Sequence, residues 1–78
     1  MKLIALNLPR NFGEQQLQKL FKAHGNVTAC TLVLDDEKGT SKGFGFVEMK
    51  REKDAMDAIE KLHGYKLSQH TIRVKPAE

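Results

Sequence analysis

Phe44 and Phe46 stand two residues apart in Lys42-Gly43-Phe44-Gly45-Phe46-Val47-Glu48-Met49. In an extended chain, residues two apart share a face. Both rings therefore point the same way as Lys42 and Glu48, while Gly43, Gly45, Val47 and Met49 point the other way. Lys42 and Glu48 cannot both be buried unpaired, which assigns the aromatic face to water. Aromatic rings interleaved with cations on a flat surface suit an unpaired nucleic-acid strand. Bases stack on phenylalanine for about 1–3 kcal/mol each, and lysine or arginine meets the phosphates. A duplex hides its base faces, so a single strand is the expected ligand.

Such a surface needs a sheet whose other face is covered. Residues 2–6 form a short apolar run ended by Asn7-Leu8-Pro9-Arg10-Asn11, a strand followed by a turn. Leu17, Leu20 and Phe21 recur at helical spacing within 14–24, with Gly13 at the N-cap, Gln16 at the third helical position and Gly25 as the stop. Residues 27–34 are rich in β-branched types. There Cys30, Leu32 and Leu34 share the inner face, Ala29, Thr31 and Val33 the outer, and Val27 breaks parity, which predicts a bulge near the start. After a turn at 35–40 comes the strand 42–50. A second helix over 52–63 carries Ala55, Ala58, Ile59 and Leu62 inward. A turn-rich connection over 65–70, with a small hairpin, leads to a last strand over 71–75 with Ile72 and Val74 inward. The order is βαββαβ, an α+β ferredoxin-like sandwich with a four-stranded antiparallel sheet and two helices packed on one face.

On the open face the parity collects Lys2, Ile4, Leu6, Lys42, Phe44, Phe46, Glu48, Arg73 and Lys75. Four cations stand there against one acid, whereas the rest of the chain carries nine charges of each sign. The net charge of +3 thus belongs to the open face.

The segment 42–49 resembles the RNP1 signature of the RNA recognition motif family, K/R-G-F/Y-G/A-F-V-x-F/Y, at six of its seven specified positions. Leu3-Ile4-Ala5-Leu6-Asn7-Leu8 is similar to the companion RNP2 motif, and it lies one strand-helix-strand unit upstream. The likeness covers essentially the whole chain. Its length and style look most like the short single-domain RNA-binding proteins of bacteria. The resemblance implies that Phe46 stacks a base, Phe44 leans on sugars, Lys42 meets a phosphate, and Arg73 and Lys75 reach bases or backbone. Ile4 departs from the usual RNP2 aromatic, which implies a weaker platform there. Met49 replaces the last RNP1 aromatic on the core side, where methionine packs adequately.

Other chemistries find little in these residues. Seventy-eight residues build one core, so a single domain over 1–78 is expected. Cys30, the one cysteine, allows neither an internal disulfide nor a cysteine zinc cage, and His24, His63 and His70 lack metal-ligand spacing. No cofactor or metal is expected. Hydrolases and metal carriers share the βαββαβ layout, but Asn7-Leu8-Pro9-Arg10-Asn11 is no phosphate cradle and no nucleophile–base pair stands out. An enzyme is therefore not expected, nor a small-molecule substrate. No apolar run reaches the ~18–20 residues of a membrane span, and Met1-Lys2-Leu3-Ile4 opens no signal-type segment. The expectation is a cytoplasmic, monomeric binder of single-stranded RNA that also accepts single-stranded DNA in vitro. The alternative is a protein-interaction domain working through its helices or as a dimer.

Overall fold

Leu3 and Ala5 alternate with Lys2, Ile4 and Leu6, and a computed structural model, which describes residues 1–77, turns that alternation into strand β1 (Lys2–Leu6). Leu3 and Ala5 are fully buried and the other three face outward. The remaining elements are α1 (Glu14–Lys22), β2 (Val27–Leu34), β3 (Ser41–Met49), α2 (Glu52–Leu62), a hairpin of β4 (Lys66–Leu67) and β5 (His70–Thr71), and β6 (Arg73–Pro76). The main sheet is antiparallel in the order β2-β3-β1-β6. This is the expected ferredoxin-like sandwich, and its two central strands are the ones that carry the outward aromatic and aliphatic side chains.

The core lies between sheet and helices. Leu3, Val47, Met49, Ile72 and Val74 meet Leu17 and Phe21 of α1 and Ala55, Ala58 and Leu62 of α2. Gly13 supplies the N-cap of α1, and its own N–H donates to Gln16 Oε1 at 2.7 Å. Phe12 and Leu17, on either side of that cap, both join the core cluster as a hydrophobic staple does. Two glycines of β3 have separate physical tasks. Gly43 takes φ +88°, and a Cβ there would stand 3.3 Å from the Leu8 carbonyl oxygen, whose own residue donates its N–H to Gly43 O at 2.8 Å. Gly45 is a close-approach site: an added Cβ would lie 2.9 Å from Leu17 Cδ2 and 2.8 Å from the Thr31 carbonyl oxygen.

Strand β2 carries the irregularity its parity break predicts. Val27 and Ala29 face the consecutive residues Met49 and Glu48, so Thr28 is the extra residue, and its hydroxyl donates to the Glu48 carbonyl at 3.1 Å. A second register shift separates Leu32, opposite Gly45, from Leu34, opposite Ser41. Beyond it Leu34 is 49% exposed, which corrects its expected inward position. The cause is the extra length of β3 around Gly43, which carries the end of β2 off the core.

Two element boundaries also differ from those the periodicity suggests. Helix α2 stops at Leu62 because His63 turns to extended backbone (ψ 120°), and its Nδ1 accepts the Val74 N–H at 3.2 Å. The last strand begins at Arg73, since Thr71 pairs with Lys66 in the hairpin and its carbonyl accepts from Asn7 Nδ2 at 2.9 Å. Glu14 serves the opposite sheet edge as His63 serves this one, its Oε2 accepting the Leu32 N–H at 3.2 Å. Both edge strands thus have a donor occupied by a side chain, which discourages pairing with another chain.

Gly45→Ala should destabilise the fold by about 1–3 kcal/mol, the usual cost of overpacking. At roughly 4–8 °C per kcal/mol for a domain of this size, thermal unfolding should reveal it clearly. An unchanged midpoint would mean that Leu17 does not rest on β3 as described.

Candidate nucleic-acid interface

All nine residues collected by parity lie on the open face. The register places Lys2 opposite Glu48, Ile4 between Phe46 and Lys75, and Leu6 opposite Arg73. With Thr31 opposite Phe46, one row crosses the whole sheet as Thr31, Phe46, Ile4 and Lys75. Phe44 and Phe46 meet edge to face, with centroids 6.3 Å apart and planes at 83°. Phe44, Phe46, Ile4 and Leu6 are half-buried, while Lys2, Lys42, Glu48, Arg73 and Lys75 are exposed. The centre of the face is therefore apolar and its borders are charged.

The Lys2 ammonium lies over the Phe46 ring, 5.0 Å from its centroid. A cation at that distance is held by the ring's electrons, worth ~0.5–1 kcal/mol at an exposed site. At the other end of the sheet, the start of β3 is fixed by a small network. Ser41, only 5% exposed, accepts the Gly43 N–H on its Oγ at 3.0 Å, and its carbonyl accepts from Arg10 Nη1 at 3.2 Å. This network ties down the backbone on either side of Lys42. In the adjoining turn, the backbone N–H groups of Lys38 and Glu37 hold the Asp35 carboxyl below its usual range. Asp35 thus stays charged beside the cationic face and tempers its field there.

Cys30 sits on the core side of β2, half-buried. Burial, with the Glu14 charge adding to it, pushes its thiol up to about 11. It is thus a poor nucleophile at neutral pH and belongs to the packing. Among the described residues no cluster of three or more His, Cys, Asp or Glu side chains is arranged for a metal, and no helix is long and apolar enough to cross a membrane.

Ala29 and Thr31 lie on the open face as their parity predicts, and the bulge at Thr28 decides that they border Glu48 and Phe46. Ser41 and Arg10 position β3 through backbone contacts that no spacing announces. A groove of about 510 Å³ along α1, bordered by Phe12, Leu20 and Tyr65, belongs to the helix side and not to this face.

A match to the RNA recognition motif family spans residues 6–73. The 31 kDa chloroplastic ribonucleoprotein of Nicotiana sylvestris is 44% identical over 72 residues, covering 92% of this chain and 23% of that protein. Among solved structures, RNA binding protein PG1 superposes with a TM-score of 0.95 at 39% identity, covering 99% of this chain and 93% of that one. The Sxl-lethal protein/RNA complex superposes with a TM-score of 0.94 at 31% identity, covering 99% of this chain and 46% of that one. The chain spans less than a third of the length of the curated relatives it matches. Those relatives are plant chloroplast proteins. They overturn the expectation of a cytoplasmic protein and lend nothing to the likeness with short bacterial proteins.

Leu3 is wholly buried and Phe46 stands on the open face, so their truncations should differ sharply. Leu3→Ala should cost about 2–5 kcal/mol. Phe46→Ala should cost about 1 kcal/mol or less, the scale of a cross-strand pair. Urea unfolding measures both, and comparable losses would contradict the assignment of faces.

Proposed function

The chain belongs to the RNA recognition motif family, and from that premise we propose that it binds single-stranded RNA across its open sheet. The observation that carries this reading is the row Thr31, Phe46, Ile4 and Lys75, flanked by Phe44, with cations at its borders. Phe46 is the stacking platform, and Ile4 beside it offers a second, aliphatic one. Phe44 packs against sugar. Lys42, Arg73 and Lys75 meet phosphates, Lys2 stands over Phe46 at the cationic border of the face, and Leu6 supports Arg73 from the neighbouring strand. The ribonucleoprotein relatives and the RNA complex of a structural neighbour support the choice of ligand.

The chain acts as one binding unit and as a monomer, its edge donors at Leu32 and Val74 being occupied. Its function is binding rather than catalysis. Single-stranded DNA offers the same base faces and phosphates, so it binds in vitro as well.

The test is a titration with a short single-stranded RNA at several salt concentrations. If three or four cations touch phosphates, log K should fall with log[salt] at a slope of about −2 to −3, at ~0.7 per phosphate. Phe46→Ala should weaken binding by about 1–3 kcal/mol without changing that slope, because it removes stacking alone. Arg73→Glu should weaken binding and flatten the slope. Lys61→Glu, on helix α2 behind the sheet, should do neither. Equal effects at Lys61 and Arg73 would remove the open face from the reading.

A further inference from the structure

We propose that the subsite over Phe46 selects guanine, read by the facing pair Glu48 and Lys2. This inference rests on the single-strand binding just described. A depression of about 210 Å³ opens on the sheet beside the Phe46 ring, walled by Lys2, Ala29, Thr31, Phe46 and Glu48. The register fixes its shape. Lys2 faces Glu48 from β1, and Ala29 faces Glu48 from β2. Ala29 ends at its Cβ, so the space beside the carboxylate stays open. Phe44 lies on the other side of Phe46. A base stacked on Phe46 therefore has an apolar ring at one border and a charged pair at the other, and its polar edge turns to the charged pair.

Glu48 also needs an explanation. It is the one acid among the nine open-face residues, and an exposed carboxylate repels the phosphates that its neighbours attract. As a reader of a base edge it has a positive role. A carboxylate only accepts hydrogen bonds, through two oxygens, and an ammonium only donates. The edge that satisfies both carries two adjacent N–H donors next to a carbonyl. Guanine has this arrangement, with N1–H and N2–H for the Glu48 carboxylate and O6 for the Lys2 ammonium. Adenine and cytosine each bring one amino group and leave the second carboxylate oxygen unmatched. Uracil brings one ring N–H flanked by carbonyls, which set oxygen against oxygen.

Lys2 is already in place for this task. Its ammonium rests 5.0 Å from the Phe46 centroid, on the platform a base would cover. An arriving base takes over the ring face, and the ammonium moves to the edge of the same base. Charge-assisted and two-pronged bonds are the strong and selective ones, so the preference should be large enough to measure.

The experiment compares four uridine-rich hexamers that differ at one central position, which is G, A, C or U, plus a fifth with inosine there. Affinity is read by fluorescence anisotropy at fixed salt, and amide shifts locate the contact. The G hexamer should bind roughly 5- to 150-fold tighter than the other three, the span of a good bidentate pair. Inosine, which lacks the N2 amino group, should lose most of that advantage, and Glu48→Gln should collapse the ratio of G to A binding. Sheet binding with equal affinity for all hexamers, or with another base preferred, overturns the guanine assignment and leaves the binding reading standing. A ratio that survives Glu48→Gln in a folded variant also overturns it. No binding to any hexamer overturns both.

Discussion

The contact between Leu17 and the bare backbone of Gly45 is the constraint from which the rest of the molecule follows. Helix α1 can lie on the sheet because β3 has no side chain at the point where Leu17 arrives: a Cβ there would stand 2.9 Å from Leu17 Cδ2, closer than non-bonded atoms pack. Once that face is taken by the helix, every second residue of β3 must point the other way. Phe44 and Phe46 are then outward by necessity, on a central strand whose neighbours β1 and β2 complete the same surface. A side chain at Gly45 would disturb the docking of α1 and the platform together. The glycine of a binding motif is thus first a packing residue.

The exposed apolar surface that results is a liability for a small sheet, and the charges around it make it usable. Lys2, Lys42, Arg73 and Lys75 border the aromatic centre, so the face repels its own copies while attracting a polyanion. The strand edges are guarded by a different means, the Glu14 carboxylate at β2 and the His63 imidazole at β6. Self-association through backbone pairing and through the apolar face are both opposed, while the face itself stays open to a flexible strand.

Much of this was legible in the residues. Alternation in β1 and β3 separated core from surface correctly because each strand keeps strict parity along its length. The helices were legible from Leu17, Leu20 and Phe21 and from Ala55, Ala58 and Leu62, because one face of each is buried. What escaped depends on partners distant in sequence. Leu34 faces solvent because β3 is longer than β2 around Gly43, a mismatch neither strand shows alone. The end of α2 is set by the bond between His63 and Val74, eleven residues on. The pairing of Glu48 with Lys2 on one side and Ala29 on the other required the register, which a bulge at Thr28 decides.

The most direct measurement is to follow the backbone amide resonances of the folded protein while single-stranded RNA is added. Binding across the open sheet moves the signals of Lys2–Leu6 in β1, of Phe44, Phe46 and Glu48 in β3, and of Arg73 and Lys75 in β6, and leaves the outer surfaces of α1 and α2 in place. Shifts confined to the helices, with the sheet unmoved, would contradict the account.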